Sequence, residues 1–142
     1  MSLSENADDL CARGEYRVAE RFDMAFLIWP DGELCVGDHC RTDPQCAVIN
    51  PENGWCVTGG EGLEICIFED GFPRGPKAPD PARVKRLFLW RHENPPPGGE
   101  RYWFIVKIWH YHEDVVRVLV NPLGEGAGLY EVDVRTLRWA RL

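Results

Sequence analysis

The chain lacks a long apolar run, an excess of basic residues and an export signal at its start. No apolar segment approaches the roughly 20 residues of a membrane-spanning helix. The first ten residues, MSLSENADDL, contain no basic segment followed by an apolar one. Asp and Glu number 23 against 16 Lys and Arg, a net charge of −7. These features argue against a membrane protein and a nucleic-acid binder, and we expect a cytoplasmic protein with no membrane or nucleic-acid partner.

Motifs that carry well-known chemistry are also missing. The glycine-rich stretches 59–62 and 124–128 lack the Lys-Ser/Thr of a phosphate loop, and strand-like residues follow each of them. Asp38, His39 and Cys40 are adjacent, so on an extended chain their side chains point apart and cannot form a catalytic relay. Cys35, Cys40 and Cys46 are spaced by five and six residues, unlike the short spacing of zinc sites. We therefore expect no cofactor and favour a protein that is not an enzyme.

Six cysteines are present, and an even number suggests disulfides in a small secreted protein. At 142 residues, however, the chain can bury a core without cross-links. Together with the missing export signal, this predicts reduced thiols in a cytoplasm. The length also predicts a single globular domain over residues 1–142. The cysteines are Cys11, Cys35, Cys40, Cys46, Cys56 and Cys66.

Short runs of β-branched and aromatic residues alternate with turn residues along most of the chain. They predict a mainly β fold of antiparallel meanders, sandwich or barrel-like, with about nine or ten short strands. The alternative is an α+β fold with one large antiparallel sheet and one or two short helices. A helix at 4–13, with Ser4 as cap and Gly14 as stop, competes with a frayed terminus. Residues 70–81 hold four prolines and two glycines and predict a surface loop. At its end, Asp80 caps a helical turn.

Residues 101–112 (RYWFIVKIWHYH) hold five of the 16 aromatic residues. Both faces of a strand here are apolar in the middle, which predicts a central strand covered on both sides. We place it between strands at 84–91 and 115–120 in a three-stranded meander. From Trp109 to His112 the strand leaves the core, so this end is the predicted site.

His110 and His112 share one face of that strand, and two imidazoles at this spacing can bind one metal ion. His39, Cys40, Glu113 or Asp114 is the candidate third ligand. This pattern supports the alternative hypothesis of a metal-dependent β-barrel enzyme or small-molecule binder. Its cofactor is a divalent metal such as zinc.

The favoured hypothesis is a non-catalytic, acidic protein-binding module. The net charge permits a basic partner, as for an inhibitor or an immunity-type protein that neutralises a basic toxin. Tyr and Trp are preferred anchors at interfaces, and a homodimer through Trp103 and Trp109 is a further reading. The predicted partner-binding residues are Trp103, Trp109, Tyr111, Glu113 and Asp114.

Two segments, NPENGWCVTGGEGLEICIFE and GLYEVDVRTLRWARL, each resemble a piece of a β-propeller blade. A propeller needs roughly four or more blades of four strands. The predicted strands are too few, and no repeat of about 40 residues is visible. No family is assigned on this resemblance.

Overall fold

The computed structural model describes residues 8–38, 44–91, 104–121 and 126–142. They form twelve strands in three antiparallel sheets of four, each a meander of consecutive strands. The first sheet comprises β1 (Asp8–Arg13), β2 (Tyr16–Arg21), β3 (Met24–Trp29) and β4 (Gly32–Asp38). The middle sheet comprises β5 (Cys46–Asn50), β6 (Trp55–Gly60), β7 (Gly62–Phe68) and β8 (Val84–Leu89). The third comprises β9 (Ile105–His112), β10 (Val115–Val120), β11 (Gly128–Asp133) and β12 (Trp139–Arg141).

The predicted mainly β class with antiparallel meanders is confirmed, and no closed barrel forms among the described strands. Twelve strands exceed the nine or ten expected. The helical element of the described residues is a 3₁₀ turn, Pro81–Arg83, which begins as predicted: the Asp80 carboxylate accepts a hydrogen bond from the Ala82 N–H at 3.0 Å. No helix in the described part of the chain is both long and apolar enough to cross a bilayer.

The predicted helix at 4–13 is wrong over its described part. Residues 8–13 form β1, which pairs antiparallel with β2 across a turn at Gly14. Gly14 has φ +61°, a conformation that ends helices and also closes hairpins. The pairing with β2 therefore decided the structure where local signals were ambiguous.

The middle sheet lies between the other two, so its central strands β6 and β7 are buried on both faces. Val57, Leu63 and Ile65 pack in one cluster with apolar residues of the third sheet. Cys56 and Cys66, on the opposite face, pack with apolar residues of the first sheet. Every residue of β6 and β7 is buried. These two strands, at the centre of a three-layer stack, hold the position that we predicted for residues 101–112.

Two glycines allow the sheets to approach closely. A Cβ atom on Gly37 would lie 2.5 Å from the Thr58 hydroxyl oxygen. A Cβ atom on Gly59 would lie 2.7 Å from Cγ2 of Ile105. Gly37 thus brings β4 of the first sheet against the middle sheet, and Gly59 brings the middle sheet against β9.

The prediction that residues 101–112 form a central, doubly covered strand is wrong for the part described. β9 is the edge strand of the third sheet, in the order β12-β11-β10-β9. The strand at 84–91 does not flank it: β8 pairs with β7 in the middle sheet. Five of the eight residues of β9 are exposed. The predicted pairing of β9 with the strand at 115–120 is confirmed.

Candidate functional site

The β9–β10 turn, the predicted site, is tied to the middle sheet by a network of hydrogen bonds. The carbonyl of Glu113 accepts from the side-chain amides of Asn50 at 3.3 Å and Asn53 at 3.2 Å. The Asp114 carboxylate accepts from Trp55 Nε1 at 2.8 Å through Oδ1. The other oxygen of this carboxylate, Oδ2, accepts a hydrogen bond at 3.0 Å from Nε of Arg135, which lies in the turn between β11 and β12. Glu113 and Asp114 therefore hold two sheets together at this end. The Glu113 carbonyl and the Asp114 carboxylate are already hydrogen-bonded within the chain, which limits the hydrogen bonds that they can form with a partner.

The two histidines of β9 face different surroundings. His110 Nε2 lies 2.8 Å from the Glu113 carbonyl; because a carbonyl only accepts, this nitrogen carries the proton. The His110 ring also meets Trp55 edge-on, with centroids 5.8 Å apart. His112 is exposed, with its Nε2 3.5 Å from a carboxylate oxygen of Glu113.

The metal hypothesis stays a prediction. His39, its third residue, lies outside the described residues, as does Cys40. Within the described ranges, no group of three or more His, Cys, Asp or Glu side chains is placed to hold a metal ion. Since the proton on His110 Nε2 points at a carbonyl, a metal ion there would have to bind through Nδ1.

Two β-bulges interrupt the pairing of β9 with β10. Val116 pairs with His110 and Val115 pairs with His112, which leaves Tyr111 without a partner residue in the ladder. A second register shift leaves Val106 unpaired in the same way. Bulges re-aim side chains and disrupt an exposed edge. Tyr111 is 53% exposed, and the alternation assumed for residues 101–112 fails at both points.

On the outward face of the third sheet, Tyr111, Trp109 and Arg117 form a cluster that we call the aromatic patch. Arg117 pairs with Trp109 of β9 on one side and with Glu131 of β11 on the other. Its guanidinium carbon lies 3.8 Å from the centroid of the Tyr111 ring, which is cation–π geometry. Lys107 Nζ lies 5.9 Å from the Trp109 ring.

Arg117 is fixed by Glu131. Its Nε and Nη2 donate to the same carboxylate oxygen at 3.2 and 3.1 Å. Both side chains are about one-third exposed, at 29% and 30%. The inward neighbours of Arg117, Val116 and Val118, are fully buried, so the patch stands on a rigid strand.

A second charged cluster lies between the first and middle sheets around Glu64, whose side chain is only 4% exposed. Its carboxylate accepts from the Asp38 N–H at 3.4 Å and lies 3.5 Å from Arg86 and 3.4 Å from Arg91. Burial raises the pKa of Glu64, while the Asp38 N–H and the two guanidinium groups oppose that rise. The carboxylate joins three segments of chain, so we assign it a structural role.

The cysteines of the described residues are unbridged. Burial raises the pKa of Cys11 to about 11 and that of Cys46 to about 12. Cys56 and Cys66 lie opposite each other in paired strands and are buried. Thiols in such surroundings are poor nucleophiles.

The structure brings together only part of the predicted partner-binding set. Trp109 and Tyr111 belong to the aromatic patch, whereas Glu113 and Asp114 belong to the network that joins two sheets. Trp103 lies outside the described residues. Sequence reasoning missed Arg117 and Glu131, although a single charge within the apolar run VVRVLV was a signal for a paired side chain.

No protein-family model matches the chain, and neither a curated protein nor a solved structure matches it. Function has therefore to be inferred from the geometry of the chain itself.

Proposed function

We propose that this chain is a non-catalytic protein-binding module that presents the outward face of its third sheet to a basic protein partner. The observation that carries the proposal is the aromatic patch. Trp, Tyr and Arg are the residue types most enriched among side chains that dominate binding energy. Here one of each lies on the neighbouring strands β9 and β10: Arg117 contacts the Tyr111 ring and is the ladder partner of Trp109.

The geometry of the patch lowers the entropic cost of binding. Each side chain that an interface immobilises costs about 0.5–1.5 kcal/mol. Arg117 is already held by Glu131 and covered by the Tyr111 ring, so much of that ordering precedes binding. Tyr111, at 53% exposed, retains surface for a partner to bury.

The charge distribution favours a basic partner. The net charge is −7, and most of it belongs to the first sheet. Residues 8–38 contain eight Asp and Glu against three Arg, a net charge of −5. Such a field increases the rate at which a positively charged protein encounters the chain. The first sheet and the aromatic patch lie on opposite sides of the middle sheet, so the acidic residues contribute long-range attraction, and the patch, which itself includes Arg117, supplies the short-range contacts.

A selection of random peptides displayed on phage tests the proposal, because such libraries find preformed interaction surfaces without a known partner. The double variant Trp109→Ser/Tyr111→Ser is compared with Phe22→Ser, which removes a 76% exposed aromatic ring on the first sheet. We expect the enriched peptides to be basic. The double variant should lose roughly 30-fold or more in affinity for them, while Phe22→Ser should bind as the wild type does.

Two results would contradict the proposal. Peptides that bind the wild type and the Trp109/Tyr111 variant equally well would place the interaction elsewhere. Enriched peptides without a basic excess, whose binding does not weaken as salt is added, would remove the basic partner.

A further inference from the structure

A pocket of about 560 Å³ opens between residues 70–80 and the end of the middle sheet. Its volume falls in the range of roughly 300–1,000 Å³ that is usual for small-molecule sites. The apolar part of its lining includes Pro51, Phe68, Phe72, Pro73 and Val84. Five charged side chains also line the pocket.

The pocket is held in shape by contacts to the first sheet. The Tyr16 hydroxyl donates to the Pro73 carbonyl at 3.1 Å, and Trp29 Nε1 donates to the Gly75 carbonyl at 2.9 Å. The Phe72 ring meets Tyr16 and Phe68 edge-on, each with centroids 5.0 Å apart. A segment anchored in this way, and stiffened by prolines, costs little further entropy when a ligand binds.

Some of the charges in the wall already have partners. Arg83 donates to both carboxylate oxygens of Asp70, at 2.7 Å from Nη2 to Oδ1 and 3.1 Å from Nε to Oδ2. These hydrogen bonds lower the pKa of Asp70, which therefore stays ionised and neutralises Arg83. The Asp80 carboxylate accepts a hydrogen bond from the N–H of Ala82.

Two cations of the wall, Arg74 and Lys77, form neither an ion pair nor a hydrogen bond with any residue of the described ranges. The wall as a whole carries three basic and two acidic side chains. Arg83 also pairs with Glu69 at 3.2 Å, so the positive charge available to a ligand is that of Arg74 and Lys77, and these two side chains give the pocket a preference for anions.

We propose that this pocket binds a small organic anion with an apolar or aromatic body. The body lies against Phe68 and Phe72, and the acidic group meets Arg74 and Lys77. Ligand sites commonly combine an apolar lining with a few polar groups that fix orientation. This site is separate from the aromatic patch and goes beyond the proposed protein binding.

Fluorescence titration with 1-anilinonaphthalene-8-sulfonate tests the proposal, because this probe joins an aromatic body to one negative charge. We expect a single site. The variant Arg74→Gln/Lys77→Gln should bind the probe about tenfold more weakly, the effect of about 1.4 kcal/mol. The control Arg21→Gln/Arg138→Gln removes the same charge from one half-buried and one exposed position outside the pocket lining and should retain the wild-type affinity.

The uncharged analogue N-phenyl-1-naphthylamine separates charge recognition from simple hydrophobic binding. Its affinity should be the same for the wild type and for Arg74→Gln/Lys77→Gln. The proposal is overturned if the sulfonate probe binds that variant as tightly as the wild type, or if both double variants weaken it equally. Far-ultraviolet circular dichroism checks that each variant is folded.

Discussion

Replacing Gly59 with Ala should destabilise the protein by overpacking the space between the middle and third sheets. The added Cβ would lie 2.7 Å from Ile105 Cγ2 and 2.8 Å from Ile108 Cδ1, whereas carbon atoms pack best at about 3.5–4.0 Å. The atoms must therefore separate by close to 1 Å. Overpacking of this kind costs about 1–3 kcal/mol, and both isoleucines are buried, which favours the upper half of that range.

An opposing effect reduces the net loss. Gly loses more conformational freedom on folding than Ala, by about 0.5–1 kcal/mol within a strand. The expected decrease in the free energy of unfolding is then about 1.5 kcal/mol, with a fall in melting temperature of about 5 °C. Urea unfolding followed by tryptophan fluorescence measures this, and an unchanged denaturant slope would show that only stability has altered.

A double-mutant cycle identifies the cause. Ile108→Val removes the Cδ1 atom and should cost about 1 kcal/mol in the wild type. In the Gly59→Ala background the same change relieves a clash, so its cost should fall to near zero. Equal costs of Ile108→Val in both backgrounds, or a Gly59→Ala variant of undiminished stability, would refute the close approach of these sheets.

Three further predictions concern buried polar groups and thiols. Burial raises the pKa of Glu64 in the folded state, so the protonated form is favoured and stability is lost as pH rises through the folded pKa. In urea unfolding, Glu64→Gln should therefore gain stability relative to the wild type as pH increases. The opposite trend would show that the arginine partners of Glu64 dominate. Because the pKa values of Cys11 and Cys46 are about 11 and 12, neither thiol should react with Ellman's reagent at mildly alkaline pH until the chain unfolds. Rapid labelling of either cysteine, mapped by mass spectrometry, would contradict this. Trp55→Phe removes the donor to the Asp114 carboxylate and should cost about 2–3 kcal/mol; if Asp114→Ala costs as much in the Trp55→Phe background as in the wild type, the two groups do not interact.

Local signals predicted the strands and turns well where they agreed with each other. Residues 115–120 were predicted as a strand and form a strand with the same bounds. Asn-Gly pairs favour tight turns, and the chain turns at Asn53-Gly54 between β5 and β6, where Gly54 has φ +74°, which glycine adopts readily. These features depend on a few neighbouring residues, so they can be predicted from the sequence alone.

The layer order could not be predicted in this way. Residues 101–112 and the strands β6 and β7 all read as apolar, and no local signal tells which of them lies at the centre. The bulges at Val106 and Tyr111 reverse the alternation of β9, and they depend on the register of β10. β8 and β9, which we expected to be neighbouring strands, belong to different sheets.

Only part of the candidate site was predicted, because the rest of it depends on how the strands pair. Trp109 and Tyr111 stand out by residue type, and both belong to the aromatic patch. Arg117 and Glu131 acquire their role only when β10 and β11 pair. The pocket beside residues 70–80 depends on Tyr16 and Trp29, which are distant in sequence.

Amide hydrogen exchange, resolved by segment, tests most directly the claim that the middle sheet is the core and that β9 is an exposed edge. The amides of β6 and β7 should exchange slowest, at the rate of global unfolding. Those of β9 should exchange faster, with Val106 and Tyr111 at the bulges among the first. Exchange in β9 as slow as that in β6, or faster exchange in β6 and β7 than in β9, would contradict the three-layer arrangement and the outward face proposed for binding.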